Sequence, residues 1–178
     1  MAELNVSRKN IEGLLSLNDP STKGKIFVIP EYQRPYRWDE DTCDILWNDL
    51  KNFYEEHKDD DREYFLGSIV TCEDSDERNY INIIDGQQRI TSFLLLLRAF
   101  YYKLEKQLDE NPQDEEVQGL MKSIEPCIWK INPMTKKVSD KKEMHIKTLV
   151  ATDDDKIDFE LILETGEGRP KSKSYYST

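Results

Sequence analysis

The amino-acid sequence predicts an α/β domain, in the α+β sense of a small mixed sheet with surrounding helices. Apolar runs typical of strands alternate with segments of helical period, and the pattern changes from one to the other at Asp85. The length of 178 residues is that of one compact domain with one buried core.

The first predicted elements are a short helix and a strand. Ser7 is placed to cap a helix that carries Ile11 and Leu15 on its apolar face, and the polar stretch at 18–24 breaks it. The run KIFVI at 25–29 then predicts a strand.

Two prolines shape the segment that follows this strand. Pro30 ends the strand, and Pro35 keeps residues 30–38 extended or turned, because proline removes a backbone donor and restricts the residue before it. Asp39 can cap the next helix, which continues to about His57 and has an apolar face that we expect to pack on the core.

The middle of the chain predicts a hairpin and a central helix. The runs at 64–72 and 80–85 indicate two strands joined by an acidic turn, and Gly67 marks a bulge or a close backbone approach. The helix predicted at about 89–106 is apolar on nearly all sides, so it must be central.

We expect three regions along the chain: a core at 1–108, an acidic linker at 109–116 and a mostly helical extension at 117–178. Patterns within and beside the last region predict a helix at 116–125, a strand at 143–149 and a helix that ends near Gly166. The chain ends without a capped element, which predicts the N-terminal part of a longer protein.

Composition limits the classes of function. Thirty-six acidic and 25 basic residues give a net charge of −11, which argues against a surface that binds duplex DNA throughout, so any anion site must be local. The three cysteines are far apart and predict buried thiols and no metal site. With no signal peptide or long apolar stretch, we expect a cytoplasmic protein without membrane insertion.

The stretch IIDGQQRITS at 83–92 is the first candidate site. A strand, a turn and a helix in succession bring backbone N–H groups and the positive end of the helix dipole to one place, which favours an anion. Gly86 lets a phosphate come close, Gln87 and Gln88 are neutral donors, and Arg89 is a forked cation that can bind two oxygens. Asp85 can position a metal ion or a water.

A structural alternative applies to the same residues. Asp85 can pair with Arg89 one turn later while the glutamines cap the helix, and the residues alone favour this alternative. A second cluster, YQRPYRW at 32–38, offers aromatic rings around Arg34 and Arg37 for a nucleotide, or else a proline-rich corner with solvated arginines.

Three blocks of the sequence together resemble a known family. FVIPEYQRPYRW, YFLGSIV and IIDGQQRITSFLLLLRAF are similar to the signature blocks of the N-terminal domain of GmrSD-type restriction endonucleases, whose fold resembles the ParB and sulfiredoxin superfamily. The blocks cover roughly residues 5–107. No cysteine lies beside the last block, so a sulfiredoxin-like thiol enzyme is disfavoured.

The resemblance implies a domain that binds and hydrolyses a nucleoside triphosphate with Mg, as the regulatory part of a system that cuts modified DNA. It implies catalytic roles for Asp85, Gln88 and Arg89, and phosphate binding by these last two together with Gln33, Arg34, Gly86 and Gln87. The resemblance also implies that the domain works with a His-Asn-His nuclease. Neither histidine of this chain lies in a His-Asn-His context, so the nuclease is expected on a further domain or a partner subunit. The alternative is a module that binds DNA or a modified base without hydrolysing nucleotides.

Overall fold

The structure is a computed structural model that describes residues 5–18, 20, 22–73, 79–150 and 153–169. Its elements, in chain order, are α1 (Ile11–Leu15), β1 (Ile26–Ile29), α2 (Glu40–His57), β2 (Val70–Cys72), β3 (Tyr80–Asp85), α3 (Gln87–Glu110), α4 (Glu115–Ile128), β4 (Ile146–Thr148) and α5 (Asp153–Thr165).

The four strands form one mixed sheet in the order β2-β3-β1-β4. β1 is parallel to both β3 and β4, whereas β2 is antiparallel to β3. Phe27, Ile81 and Ile83 are buried on one face of the sheet, in a core shared with the helices. The predicted α+β class is confirmed, and the finer resemblance to the ParB and sulfiredoxin superfamily stays a prediction.

α3 is the central helix, as its apolar pattern predicts. Ile90, Leu94 and Tyr101 are buried against the sheet and the neighbouring helices. The helix follows β3 after a single residue, Gly86, so the strand fixes where the helix begins.

The second half of the chain is built into the same core. β4 extends the sheet beside β1, and the α3–α4 connection is only residues 111–114. Arg98 is fully buried and donates through Nε to the Leu163 carbonyl at 3.0 Å, which ties α3 to the end of α5. The three-region division at 109–116 stays a prediction, although its first and last regions share one sheet.

Some sequence expectations for the first half are wrong. Asn10, not Ser7, caps α1 by accepting from the Gly13 N–H at 2.7 Å, because the helix begins only at Ile11. The first strand of the hairpin is short. Val70 already pairs with Asp85, the last residue of β3, so residues 64–69 extend past the end of their partner strand.

The core packing of α2 is weaker than expected: this helix, described over its whole length, buries no residue, and Leu46, Leu50 and Phe53 on its apolar face are only half-buried. Two of the cysteines expected to be buried are exposed for related reasons. Cys43 lies on α2 and Cys72 on the edge strand β2, whose three residues are all exposed, while Cys127 is buried. The acidic turn of the hairpin falls mostly on residues 74–78, outside the described residues.

Candidate functional site

Three segments that are distant in sequence meet where β3 ends and α3 begins. They are the turn at 85–89, the proline-rich segment at 30–38 that leaves β1, and the irregular segment at 64–69 that precedes β2. The residues expected to form a site in the first two segments are therefore neighbours.

The start of α3 differs electrostatically from the starts of α1, α2 and α4. Each of those helices has a side-chain cap and an acidic residue in its first turn, which compensates the positive end of its dipole. α3 begins after Gly86, a glycine with no side-chain oxygen, and its first turn carries Arg89 instead of a carboxylate. The nearest carboxylate, Asp85, lies just before Gly86 and 3.6 Å from Arg89, so the first turn itself carries no acidic compensation of the dipole.

Gly86 is required by the chain's own packing. Its φ of 89° lies in the left-handed region, and a Cβ there would overlap the Ile69 side chain and lie 3.3 Å from the Ser68 carbonyl oxygen. On that side the 64–69 segment makes the close contact, and the approach of a phosphate to Gly86 stays a prediction.

Arg89 is held by two neighbours. Its Nη1 donates to the Leu66 carbonyl at 3.2 Å, and its Nη2 lies 3.6 Å from Asp85 Oδ2. Gly67 makes room for the guanidinium, since a Cβ there would overlap Nη1 and lie 2.9 Å from Cζ. The Arg89 side chain keeps 28% of its exposure and that of Asp85 keeps 65%, so both reach solvent at the turn.

Two glutamines hold the 30–38 segment against the turn. Gln33 donates through Nε2 to the Ile84 carbonyl at 3.0 Å. Gln88 is nearly buried and bridges the same segment: Nε2 donates to the Pro35 carbonyl at 3.0 Å and Oε1 accepts from the Arg37 N–H at 2.8 Å. In this arrangement Gln88 positions backbone, and its predicted catalytic role remains a prediction.

A small cleft lies between the two segments. Arg34, Gln87 and Gln88 line it, and it encloses about 10 Å³, close to the space that one water molecule needs. Arg34 is exposed at this cleft and Gln87 is buried beside it. All seven residues predicted from the sequence therefore lie around one strand-turn-helix junction.

A comparison with protein-family models identifies the family of the chain. Residues 11–176 match the model described as GmrSD restriction endonuclease, N-terminal domain. The chain belongs to this family. A search of curated proteins finds no match to the chain. The matched model describes one domain of a restriction system, and such a system involves DNA and a nuclease.

This GmrSD-type domain has a second concave feature that the sequence does not predict. It is a hollow of about 290 Å³ on the sheet face opposite the helices, lined by Val28, Pro30, Glu31, Tyr32, Tyr80, Asn82, Lys147 and Leu149. The alternation along β1 and β3 places these side chains away from the core. A polar Asn82 inside an apolar strand is the signal that could have indicated this open face.

The histidines lie outside the junction. His57 contacts Asp60 at 3.1 Å near the end of α2, and His145 is buried with Nε2 at 2.8 Å from the Trp129 carbonyl. Burial lowers the pKa of His145, which favours the neutral ring. In the described part of the chain, no group of three or more His, Cys, Asp or Glu side chains is placed to hold a metal ion.

None of the described helices has the length and apolarity needed to cross a bilayer.

Proposed function

We propose that this domain binds a nucleoside triphosphate with Mg at the β3–α3 junction and hydrolyses it to regulate a His-Asn-His nuclease that cuts modified DNA. The observation that carries the proposal is the start of α3, which lacks the acidic compensation of α1, α2 and α4 and holds a partly exposed Arg89 instead. Family membership supplies the restriction context.

Phosphate binding follows from the groups at this helix start. Backbone N–H groups of the first turn point along the dipole toward an incoming anion, and Arg89 can grip two phosphate oxygens with its fork. Arg34 is exposed at the cleft beside Gln87 and adds a second cation. Two arginines and the uncapped helix start outnumber the Asp85 carboxylate beside Arg89, and together they give the local positive site that an overall acidic protein needs.

Asp85 supplies the carboxylate of the proposed reaction. Mg²⁺ is commonly held by one or two carboxylates together with phosphate oxygens, so it would arrive with the nucleotide. The Asp85 side chain is 65% exposed at the end of β3 and can reach such an ion or orient a water. Arg89, one helical turn away, would then neutralise charge that develops on the transferred phosphoryl group.

Triphosphate binding requires the junction to open. A cleft of about 10 Å³ does not accommodate a phosphate group, and one guanidinium nitrogen of Arg89 is already bonded to Leu66. The 64–69 segment belongs to no helix or strand and has Gly67 at a φ of 98°, so its movement would break no hydrogen bond of the sheet. Phosphate oxygens would replace the Leu66 carbonyl as the acceptor.

The hollow on the open sheet face favours a second candidate function, a module that binds DNA or a modified base without hydrolysis. Tyr32 is 72% exposed at its rim and can stack on a base, while Asn82 and Lys147 offer donors to its edge or backbone. This use does not need Arg89 or Asp85.

Two measurements on the same protein separate these functions. Calorimetry with each nucleoside triphosphate and Mg, followed by phosphate release, tests the first, and gel shifts on modified and unmodified DNA test the second. We expect saturable triphosphate binding and slow phosphate release. If neither triphosphate binding nor phosphate release is detected and the gel shift shows binding to modified DNA, the second function replaces the first.

A further inference from the structure

A second surface of the molecule, along α2, has exposed aromatic side chains bordered by carboxylates. α2 is 18 residues long and buries none of them, although its sequence is amphipathic. Trp47 and Tyr54 are 42% and 64% exposed on this helix, and Phe100 of α3, which is 38% exposed, lies beside Trp47. We call these three residues the aromatic patch.

The geometry of the patch is that of a helix-binding surface. Trp47 and Tyr54 are seven residues apart, which is about two turns, so their side chains project from one edge of α2. The Trp47 and Phe100 rings lie 6.0 Å apart between centroids, which links the two helices at the patch. Aromatic anchors at this spacing match the i and i+7 positions of an amphipathic helix laid alongside.

The charge around the patch selects its partner. α2 contains six carboxylates and one lysine: Glu40, Asp41, Asp44, Asp49, Glu55 and Glu56 against Lys51. By helical period Glu40, Asp44 and Glu55 lie next to Trp47 and Tyr54, on the solvent side of the patch. An acidic border repels nucleic acid and a second copy of the same helix, and it attracts lysine and arginine side chains.

We infer that the aromatic patch is the docking site for a cationic amphipathic helix of the nuclease domain in the same restriction system. The inference rests on the proposed function only for the existence of that nuclease partner, and it does not involve the β3–α3 junction. A nuclease binds a polyanion and therefore carries cationic surface, which complements α2. Burial of the two aromatic rings would provide the affinity and the carboxylates would provide orientation.

The test mixes the 178-residue chain with the separately produced nuclease domain and measures their affinity by calorimetry. Trp47→Ser together with Tyr54→Ser should weaken binding at least 10-fold, since aromatic anchors dominate such interfaces. The matched control is Ile45→Ser. Ile45 is 64% exposed but lies two and a half turns from Tyr54, on the opposite side of α2.

A charge-reversal pair tests the second half of the inference. Asp44→Lys, beside the patch, should weaken binding, and the wild-type affinity should fall as NaCl is raised. Asp49→Lys, on the far side of the same helix, should leave it unchanged. The variants at Asp44, Ile45 and Asp49 should unfold at the wild-type temperature, because these side chains are exposed. The double aromatic variant also loses the Trp47–Phe100 contact, so thermal unfolding and triphosphate affinity are measured to show that it is folded.

Three results would overturn the inference: equal affinity in the aromatic and Ile45 variants, an affinity independent of both salt and Asp44, or no binding of the nuclease domain. Sedimentation that shows a dimer lost on substitution of Trp47 would assign the patch to self-association instead. If the nuclease domain binds at the aromatic patch as expected but the protein binds no triphosphate, only the proposed nucleotide site is refuted.

Discussion

Arg89→Ala is the substitution that best separates a phosphate site from a structural helix start. The wild-type guanidinium makes one hydrogen bond to Leu66 and a longer ion pair with Asp85, while more than a quarter of the side chain is exposed. Alanine removes the cation and both contacts but leaves Gly86 and the helix start unchanged.

The structure sets the two expected magnitudes. The pair with Asp85 is separated by 3.6 Å and largely solvated, so it contributes at most about 0.5 kcal/mol to the free energy of unfolding. The bond to the Leu66 carbonyl is charge-assisted and half-buried, and with its loss the total cost should reach about 1 to 2 kcal/mol. Loss of a charged phosphate contact should weaken triphosphate binding by about 1.5 to 3 kcal/mol, or roughly 10- to 150-fold in Kd.

The assay combines urea unfolding, triphosphate calorimetry and phosphate release on three variants. Arg89→Ala should lose affinity, and Asp85→Asn should retain much of the binding while losing hydrolysis, because it removes the proposed ligand of Mg. Arg62→Ala removes an arginine that pairs with Asp60 at 3.4 Å outside the junction, so it controls for net charge. If Arg89→Ala and Asp85→Asn both keep the wild-type triphosphate affinity and turnover, the proposed nucleotide site is refuted and Arg89 has a structural role.

The other predictions concern the supports of the fold and the site. Gly67→Ala should weaken triphosphate binding much as Arg89→Ala does, because a Cβ at φ 98° displaces the guanidinium; wild-type affinity in calorimetry would contradict this. Arg98→Ala should cost about 3 kcal/mol in urea unfolding, since it leaves buried acceptors unpaired, and a cost below about 1 kcal/mol would be inconsistent with that burial. His145, whose pKa is lowered by burial, should stabilise the fold fully above its ordinary value of 6.5 and lose that contribution as pH falls below it. His145→Gln should flatten this profile of stability against pH, as measured by urea unfolding at a series of pH values.

The elements that the sequence predicts well carry their own pattern. β3 and α3 are adjacent, and the change of period at Asp85 places their junction to within two residues of the observed helix start at Gln87. Gly67 is likewise predictable as a close approach, because a glycine inside an apolar extended run needs a structural reason.

The contacts that hold the site together are less visible in the sequence. Gln88 donates to the Pro35 carbonyl and Gln33 donates to the Ile84 carbonyl. Every residue has a backbone carbonyl, so the residue type does not show which carbonyl accepts the bond. For the same reason the sequence does not show that the Leu66 carbonyl binds Arg89. The side chains were predictable as a cluster, whereas their partners depended on how three segments cross.

The error at α2 has a different origin. An amphipathic pattern identifies which side of a helix is apolar, but it contains no information on what covers that side. Within the apolar face of α2, Leu46, Leu50 and Phe53 are half-buried, whereas Trp47 and Tyr54 at its edge are exposed. That exposed edge is the surface that we propose for docking of the nuclease domain.

One segment, at residues 64–69, contacts both α2 and the β3–α3 junction. Tyr64 lies 5.3 Å, ring to ring, from Phe53 of α2, and two residues later the Leu66 carbonyl holds Arg89. A triphosphate that displaces Leu66 must therefore shift a segment that packs on α2. Coupling between sites is reciprocal, so a nuclease domain docked on α2 would change triphosphate affinity by the same factor that the nucleotide changes docking. Equal triphosphate affinities with and without the nuclease domain would show that the segment transmits nothing.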